Sequence, residues 1–267
     1  MDPVCGLWIG SELSTMERLS ITSYLANGHP YHLYAYRDIA GVPEGTVMED
    51  ANRILPESSI FKYRHHDSYA GFSNYFRYKL LLEKGGWWSD LDVVCLRPFD
   101  FGGDYVFPAE MSDAGTEVAA NCVMRTPQGS AIMRFAWDEC RWRDPGTLLW
   151  GETGPILMQE AIERFGLRRF RHPYRTFCPI THQRWQRLVE PDADLPGGVD
   201  VYAIHLWNEL WRRSGTDKNA RYASTSIYER LKRRYLSENQ SRDASPEPRI
   251  NRENHECRVG LSEADGS

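Results

Sequence analysis

Asp90 and Asp92 are the residues whose type and spacing point most directly to chemistry, and they follow the run Gly85-Gly86-Trp87-Trp88-Ser89. In an extended segment, side chains two apart point the same way, so both carboxylates face one site while Leu91 and Val93 face the other side. Mg²⁺ or Mn²⁺ is usually held by one or two carboxylates plus phosphate oxygens and water, not by a closed protein cage. The spacing therefore predicts a hard-cation site that handles phosphate.

The elements that must position this pair can be read around it. A helix is expected over residues 69–83, where Phe72, Phe76 and Leu80 form an apolar row and Asn74 and Arg77, three apart, share another face. Gly85-Gly86 caps that helix and turns the chain into a central strand over 87–92, and Pro98 ends that strand segment. Upstream, a buried strand over 4–9, a helix over 14–27 and a strand over 31–36 are expected, an opening that resembles the first strand–helix–strand of a nucleotide-binding α/β sheet. Ligands of such sheets gather beyond the carboxyl ends of the strands, where Trp8 and Gly10 lie. Residues 41–70 read as variable loop with a short helix near 50–55. Further strands are expected at 105–108, 118–124 and 199–206, and helices near 130–140, 154–165 and 226–236. This alternation predicts an α/β sandwich over residues 1–236, while the polar segment 237–267 reads as a disordered tail.

Helix, Arg77, Gly85-Gly86, Trp88 and Asp-x-Asp in this order resemble the DxD-containing glycosyltransferases of the sugar-binding-region class. That class includes initiating α-mannosyltransferases, α-1,4-galactosyltransferases and the clostridial glucosylating toxins. Echoes at Leu7-Trp8-Ile9-Gly10, Thr153-Gly154-Pro155 and Ala203-Ile204-His205-Leu206-Trp207 extend the resemblance over residues 4–211. It implies a single A-type glycosyltransferase domain, a Rossmann-like α/β/α sandwich with a mostly parallel central sheet and helical insertions. It further implies transfer of a hexose from a nucleotide sugar, a UDP-hexose favoured over GDP-mannose, to a glycan, lipid-linked or other hydroxyl acceptor in polysaccharide biosynthesis. Mn²⁺ or Mg²⁺ is the implied cofactor, and retention of anomeric configuration follows from the resemblance alone.

The resemblance also implies roles for individual residues. Asp92 is the direct metal ligand, and Asp90 reaches the metal through water and contacts donor hydroxyls. Arg77 meets the donor sugar or pyrophosphate, with an ion pair as the plainer alternative. Trp8 stacks on the nucleobase or packs in the core. His205, at the end of a strand over 201–205, completes the metal shell, touches the diphosphate or is a core histidine. Asn74 stands where relatives commonly carry Asp, which bears on the choice of donor sugar. Trp88 lines the donor pocket or packs in the core, and Trp207, Asn208 and Trp211 read as a lid that excludes water. Glu152 lies in a loop that opens a helix on the acceptor side.

Two rivals share some of these signals. Asp90-Leu91-Asp92-Val93-Val94 also fits the aspartyl-phosphate pattern of Mg²⁺-dependent phosphatases, but the preceding Gly-Gly-aromatic run and the absence of a convincing downstream acidic pair argue against it. A nucleotide-sugar-binding protein without turnover is the other, and the departure at Asn74 is its support. A formal net charge of −5 argues against wholesale nucleic-acid binding. An arginine- and aromatic-rich stretch over 164–187 reads as a solvated face or as a peripheral contact with an anionic membrane. The 6 cysteines are scattered with no zinc-ligand spacing, so reduced thiols are expected. With no long apolar run and a first strand close to Met1, a cytoplasmic protein is expected.

Overall fold

The computed structural model of the chain describes residues 1–236, so the expected tail over 237–267 lies outside the described residues. The strands are β1 (Val4–Trp8), β2 (Tyr31–Ala35), β3 (Thr46–Asp50), β4 (Gly86–Ser89), β5 (Val93–Cys95), β6 (Ala109–Met111), β7 (Glu117–Ala119), β8 (Val123–Thr126) and β9 (Ala203–His205). The principal helices are α1 (Thr15–Ala26), α2 (Ala70–Lys84), α3 (Ala131–Arg141), α4 (Leu157–Arg164), α5 (Tyr174–Phe177), α6 (Asn208–Ser214) and α7 (Ile227–Tyr235).

The main sheet has the order β3-β2-β1-β4-β8. Its first four strands are parallel and β8 runs antiparallel to β4. Alternation sorts the buried residues onto two faces: Val4, Leu33 and Trp87 join one core with α1 and α7, whereas Cys5, Leu7 and Trp88 join another with α2, α3 and α4. This is the expected α/β/α sandwich with a mostly parallel central sheet. Among the described residues, no helix is long and apolar enough to cross a membrane.

Local chemistry sets the elements beside the site. Ser14 and Glu17 form a reciprocal capping box at the start of α1. Within that helix, Ser20 donates to the Val93 carbonyl at 2.7 Å and Ser23 accepts from the Cys95 amide at 2.8 Å, which ties α1 to β5. Gly85 ends α2 at φ 66°, and a Cβ there would lie 2.4 Å from the Gln128 backbone nitrogen, so the turn into β4 requires glycine.

Three expectations are corrected. The central strand stops at Ser89 instead of running to residue 92: the Val93 amide bonds back to the Asp90 carbonyl at 3.2 Å, so the two aspartates occupy a turn. The segment over 41–70 contributes an edge strand, β3, whose largely exposed Thr-Val-Met-Glu-Asp sequence carries little burial signal. At 105–108 only single bridges form, at Val106 and Phe107.

Candidate functional site

β2 and β4 flank β1 on opposite sides, so the strand order changes direction there, and crevices outside such points are where open α/β sheets take ligands. A cleft of about 920 Å³ opens at the carboxyl ends of β1 and β4. Trp8, Asn74, Arg77, Trp88, Asp90, Asp92 and His205 all border it.

Asp90 and Asp92 reach this cleft through the turn between β4 and β5, not through strand alternation. Each is held by a separate set of partners. Asp90 pairs with the Arg77 guanidinium at 2.8 Å and accepts from Trp88 Nε1 at 2.9 Å. Burial raises the Asp90 carboxyl above its ordinary range and Asp92 adds to this, while Arg77 opposes it. Asp92 Oδ2 accepts from the Asn208 amide at 2.8 Å and lies 3.2 Å from His205 Nε2. Burial works against the Asp92 carboxylate, but His205, the Asn208 amide and Lys218 outweigh it and lower the pKa. The same pairing keeps His205 well above its ordinary value despite its burial.

This His205–Asp92 contact is built by the small sheet of β5 and β9, in which Val93 lies opposite His205. A separation of 3.2 Å between Asp92 Oδ2 and His205 Nε2 suits two neighbouring ligands of one hard cation, whose bonds of about 2.1 Å at right angles span about 3 Å. Asp90 stands beside them, and Mn²⁺ accepts a nitrogen ligand. The residues present thus fit a divalent cation.

Arg77 is only 4 % exposed and spends its donors within the protein: besides Asp90, it bonds the Ser73 carbonyl at 3.3 Å, the Ser73 hydroxyl at 3.0 Å and the Asn121 carbonyl at 2.5 Å. Its guanidinium also lies over the Trp88 ring, 5.0 Å from the centroid. The pair with Asp90 is buried, not the surface pair that was the alternative, and Arg77 holds Asp90 while still bordering the cleft. Trp88 is buried, as core packing required, and still reaches Asp90 through its indole nitrogen. Asn74 is buried at the cleft floor, accepting from Asn121 Nδ2 at 2.9 Å and donating to Thr153 Oγ1 at 3.4 Å. Trp8 ends β1 half-buried, its indole nitrogen bonded to the Glu12 carbonyl at 3.0 Å and its ring 5.5 Å from the Lys218 ammonium.

The lid expectation is corrected. The Trp211 ring is 1 % exposed and packs on Trp185 and Tyr228, with its nitrogen donating to the Leu206 carbonyl at 2.7 Å. Trp207 is likewise buried and donates to the Ile180 carbonyl at 2.8 Å. These indoles anchor α6 in the core because their nitrogens find backbone acceptors there, and Asn208 faces the site through its amide. Glu152 pairs with Arg143 and accepts from the Leu149 amide, which makes it a loop fastener.

Residues 15–110 match the family described as "Glycosyltransferase sugar-binding region containing DXD motif", and residues 147–235 match "Alpha 1,4-glycosyltransferase conserved region". Two glycosyltransferase family descriptions thus match successive parts of the chain. Arg77 and the Asp90–Asp92 turn fall in the first match, and His205 with α6 in the second, so the contact between Asp92 and His205 joins the two. The human (Homo sapiens) alpha-1,4-N-acetylglucosaminyltransferase is 24% identical over 184 residues, covering 60% of this chain and 51% of that protein. The chain thus spans about half the length of that relative. Among solved structures, PaToxG glycosyltransferase superposes with a TM-score of 0.45 at 16% identity, covering 62% of this chain and 71% of that one. The galactosyltransferase LgtC does so with a TM-score of 0.36 at 13% identity, covering 65% and 73%.

Several cleft residues escaped the sequence reading. Asn121 borders the cleft and donates to Asn74 Oδ1. Glu110, on β6, borders the cleft with a carboxyl that burial raises and His205 and His182 draw down. Lys218 pairs with the buried Glu17 and donates to Asn208 Oδ1 at 3.0 Å. All sit in short segments without periodicity, and only the polar-to-apolar alternation of 109–111 could have pointed to Glu110.

Proposed function

We propose that residues 1–236 form the catalytic unit of a metal-dependent glycosyltransferase that moves a sugar from a nucleotide sugar to a hydroxyl acceptor with retention of configuration. The observation that carries the reading is the meeting of Asp92 Oδ2 and His205 Nε2 at 3.2 Å, beside Asp90, at the turning point of the sheet order. Asp92 and His205 would hold Mn²⁺ or Mg²⁺, with Asp90 contributing through water. When bound, the cation offsets the charge that grows on the diphosphate as the anomeric bond breaks.

The protein's own groups supply the rest. Arg77 and Trp88 fix Asp90, so its oxygens meet donor hydroxyls without prior rearrangement. A carboxylate pinned in this way is a poor fit to the covalent role it would have in a phosphatase. The amides of Asn74 and Asn121 offer donors and acceptors to the sugar. Trp8 offers a flat face to the base at the rim, and Lys218 places a positive charge beside it. Glu110 accepts from the acceptor hydroxyl. A UDP-sugar is the favoured donor, and the N-acetylglucosaminyl transfer named for the human relative makes UDP-N-acetylglucosamine the first to try.

The test is a donor-hydrolysis screen of UDP-N-acetylglucosamine, UDP-glucose, UDP-galactose and GDP-mannose with Mn²⁺, run on the native chain and on Asp92→Asn. Metal-dependent hydrolysis of at least one donor is expected, with a loss on the order of 100-fold or more in the variant. Hydrolysis by a correctly folded Asp92→Asn at the native rate would overturn the metal assignment.

A further inference from the structure

Behind His205, on the side away from Asp92, two thiols converge that the proposed glycosyl transfer does not use. Cys122 lies between β7 and β8, Cys178 follows α5, and their sulfurs are 3.8 Å apart. Cys178 Sγ is 3.9 Å from His205 Nδ1, and one ligating atom from each of Cys122, Cys178 and His205 falls within 4.8 Å of the others. Both cysteines are almost fully buried.

Two thiols in simple contact would show a similar sulfur separation. The third group changes the meaning, because a ring nitrogen from a third segment converges on the same point. Tetrahedral Zn²⁺ with bonds of about 2.3 Å to sulfur and about 2.0 Å to nitrogen spans about 3.8 Å between two sulfurs and about 3.6 Å from sulfur to nitrogen. The sulfurs therefore already stand at the zinc spacing, and the Cys178–His205 separation exceeds it by a few tenths of an ångström. The other ring nitrogen faces a carboxylate, Asp92, the kind of outer partner that orients zinc-bound histidines. Cys122 and His205 border the cleft, which gives an entry path.

We propose that Cys122, Cys178 and His205 form a binding site for a thiophilic divalent cation, Zn²⁺, distinct from the hard-cation site on the other edge of the same imidazole. On binding, two metal–sulfur bonds and one metal–Nδ1 bond form, and the thiol protons and any proton on Nδ1 leave to solvent. Nε2 then keeps its proton and donates it to Asp92. His205 cannot at that moment complete a Mn²⁺ shell, so the two cations exclude one another. This exclusion rests on the reading given under Proposed function, whereas the zinc site does not.

Titration of the metal-free protein with Zn²⁺ by calorimetry, and with Cd²⁺ followed by its thiolate charge-transfer absorbance, tests the site without any measure of transfer. One equivalent is expected to bind, with affinity lowered by about 100-fold or more in Cys178→Ser and in Cys122→Ala. Cys140→Ser, whose buried thiol lies in the other core, should bind as the native chain does. Two cysteine variants guard against one failing to fold, which circular dichroism reports. No binding by the native chain, or equal binding by all three variants, overturns the zinc site. Mn²⁺ electron paramagnetic resonance then tests exclusion: zinc loading should release bound Mn²⁺, and retention of both ions overturns the shared histidine while leaving the zinc site standing.

Discussion

Replacing Arg77 by Met should destabilise the protein strongly, and by an amount that depends on pH. Arg77 pairs with Asp90 at 2.8 Å, and the pair is buried to the extent that the two side chains are 4% and 24% exposed. Removing one partner of such a pair leaves an uncompensated charge, which costs about 3–5 kcal/mol. With a urea slope of about 2–3 kcal/mol per molar, the midpoint should fall by about 1–2 M at pH 7. Arg77→Lys keeps the charge but not the forked contacts to Ser73, Asp90 and Asn121, and should fall in between. The sign of the pH dependence follows from Asp90. Burial already raises its carboxyl in the folded state, against the pull of Arg77, so losing Arg77 raises it further. A group raised on folding contributes stability at low pH that is lost as pH rises through its folded value. The deficit of Arg77→Met should therefore be greatest above the folded values of both chains and shrink as pH falls through the variant's folded value toward that of the native chain, since the unfolded Asp is common to both. Urea titrations of native and variant chains at several pH values measure this. A deficit that is the same at both ends of the range, or below about 1 kcal/mol throughout, would refute the reasoning about a buried pair.

Three further outcomes can be checked. Asn74→Asp can still accept from Asn121 but can no longer donate to Thr153, so the ranking of donor sugars should change more than the affinity for the nucleoside diphosphate, measured by competition. Glu110→Gln should slow transfer to acceptor by about 100-fold while sparing donor hydrolysis; because burial raises the native carboxyl, the acid limb of the transfer profile should lie above the ordinary Glu range and vanish in the variant. Arg168 and Arg169 are exposed although Arg168 pairs with Glu163 and Arg169 lies over Phe170; co-sedimentation with anionic vesicles should appear at low salt and fade as salt rises, and its absence at low salt would leave the stretch a solvated face.

What could be read from the sequence follows physical locality. Helix α2, the glycine turn and the aspartate pair lie within one stretch, and periodicity plus cap chemistry disclosed them. His205 was legible because an apolar run delivers it to a strand end. The indoles of Trp207 and Trp211 were misread as a lid because a tryptophan beside a site looks the same in sequence whether its nitrogen meets solvent or a backbone carbonyl. Arg77 borders the cleft from the expected row of α2, but its pairing with Asp90 was not legible because the turn that carries Asp90 back to it depends on tertiary contacts. Cys122, Cys178 and Glu110 meet only through folding, and no spacing along the chain could announce them.

The strand pair that sets Val93 opposite His205 has a consequence for biosynthesis. Both aspartates leave the ribosome more than a hundred residues before the imidazole and the Asn208 amide that complete their surroundings. A nascent chain halted before residue 203 holds the acidic turn without its counterpart, and the clamp of Lys218 on Glu17 has not yet been made. The surroundings of Asp92 are thus completed only once the segment carrying β9 and α6 has docked.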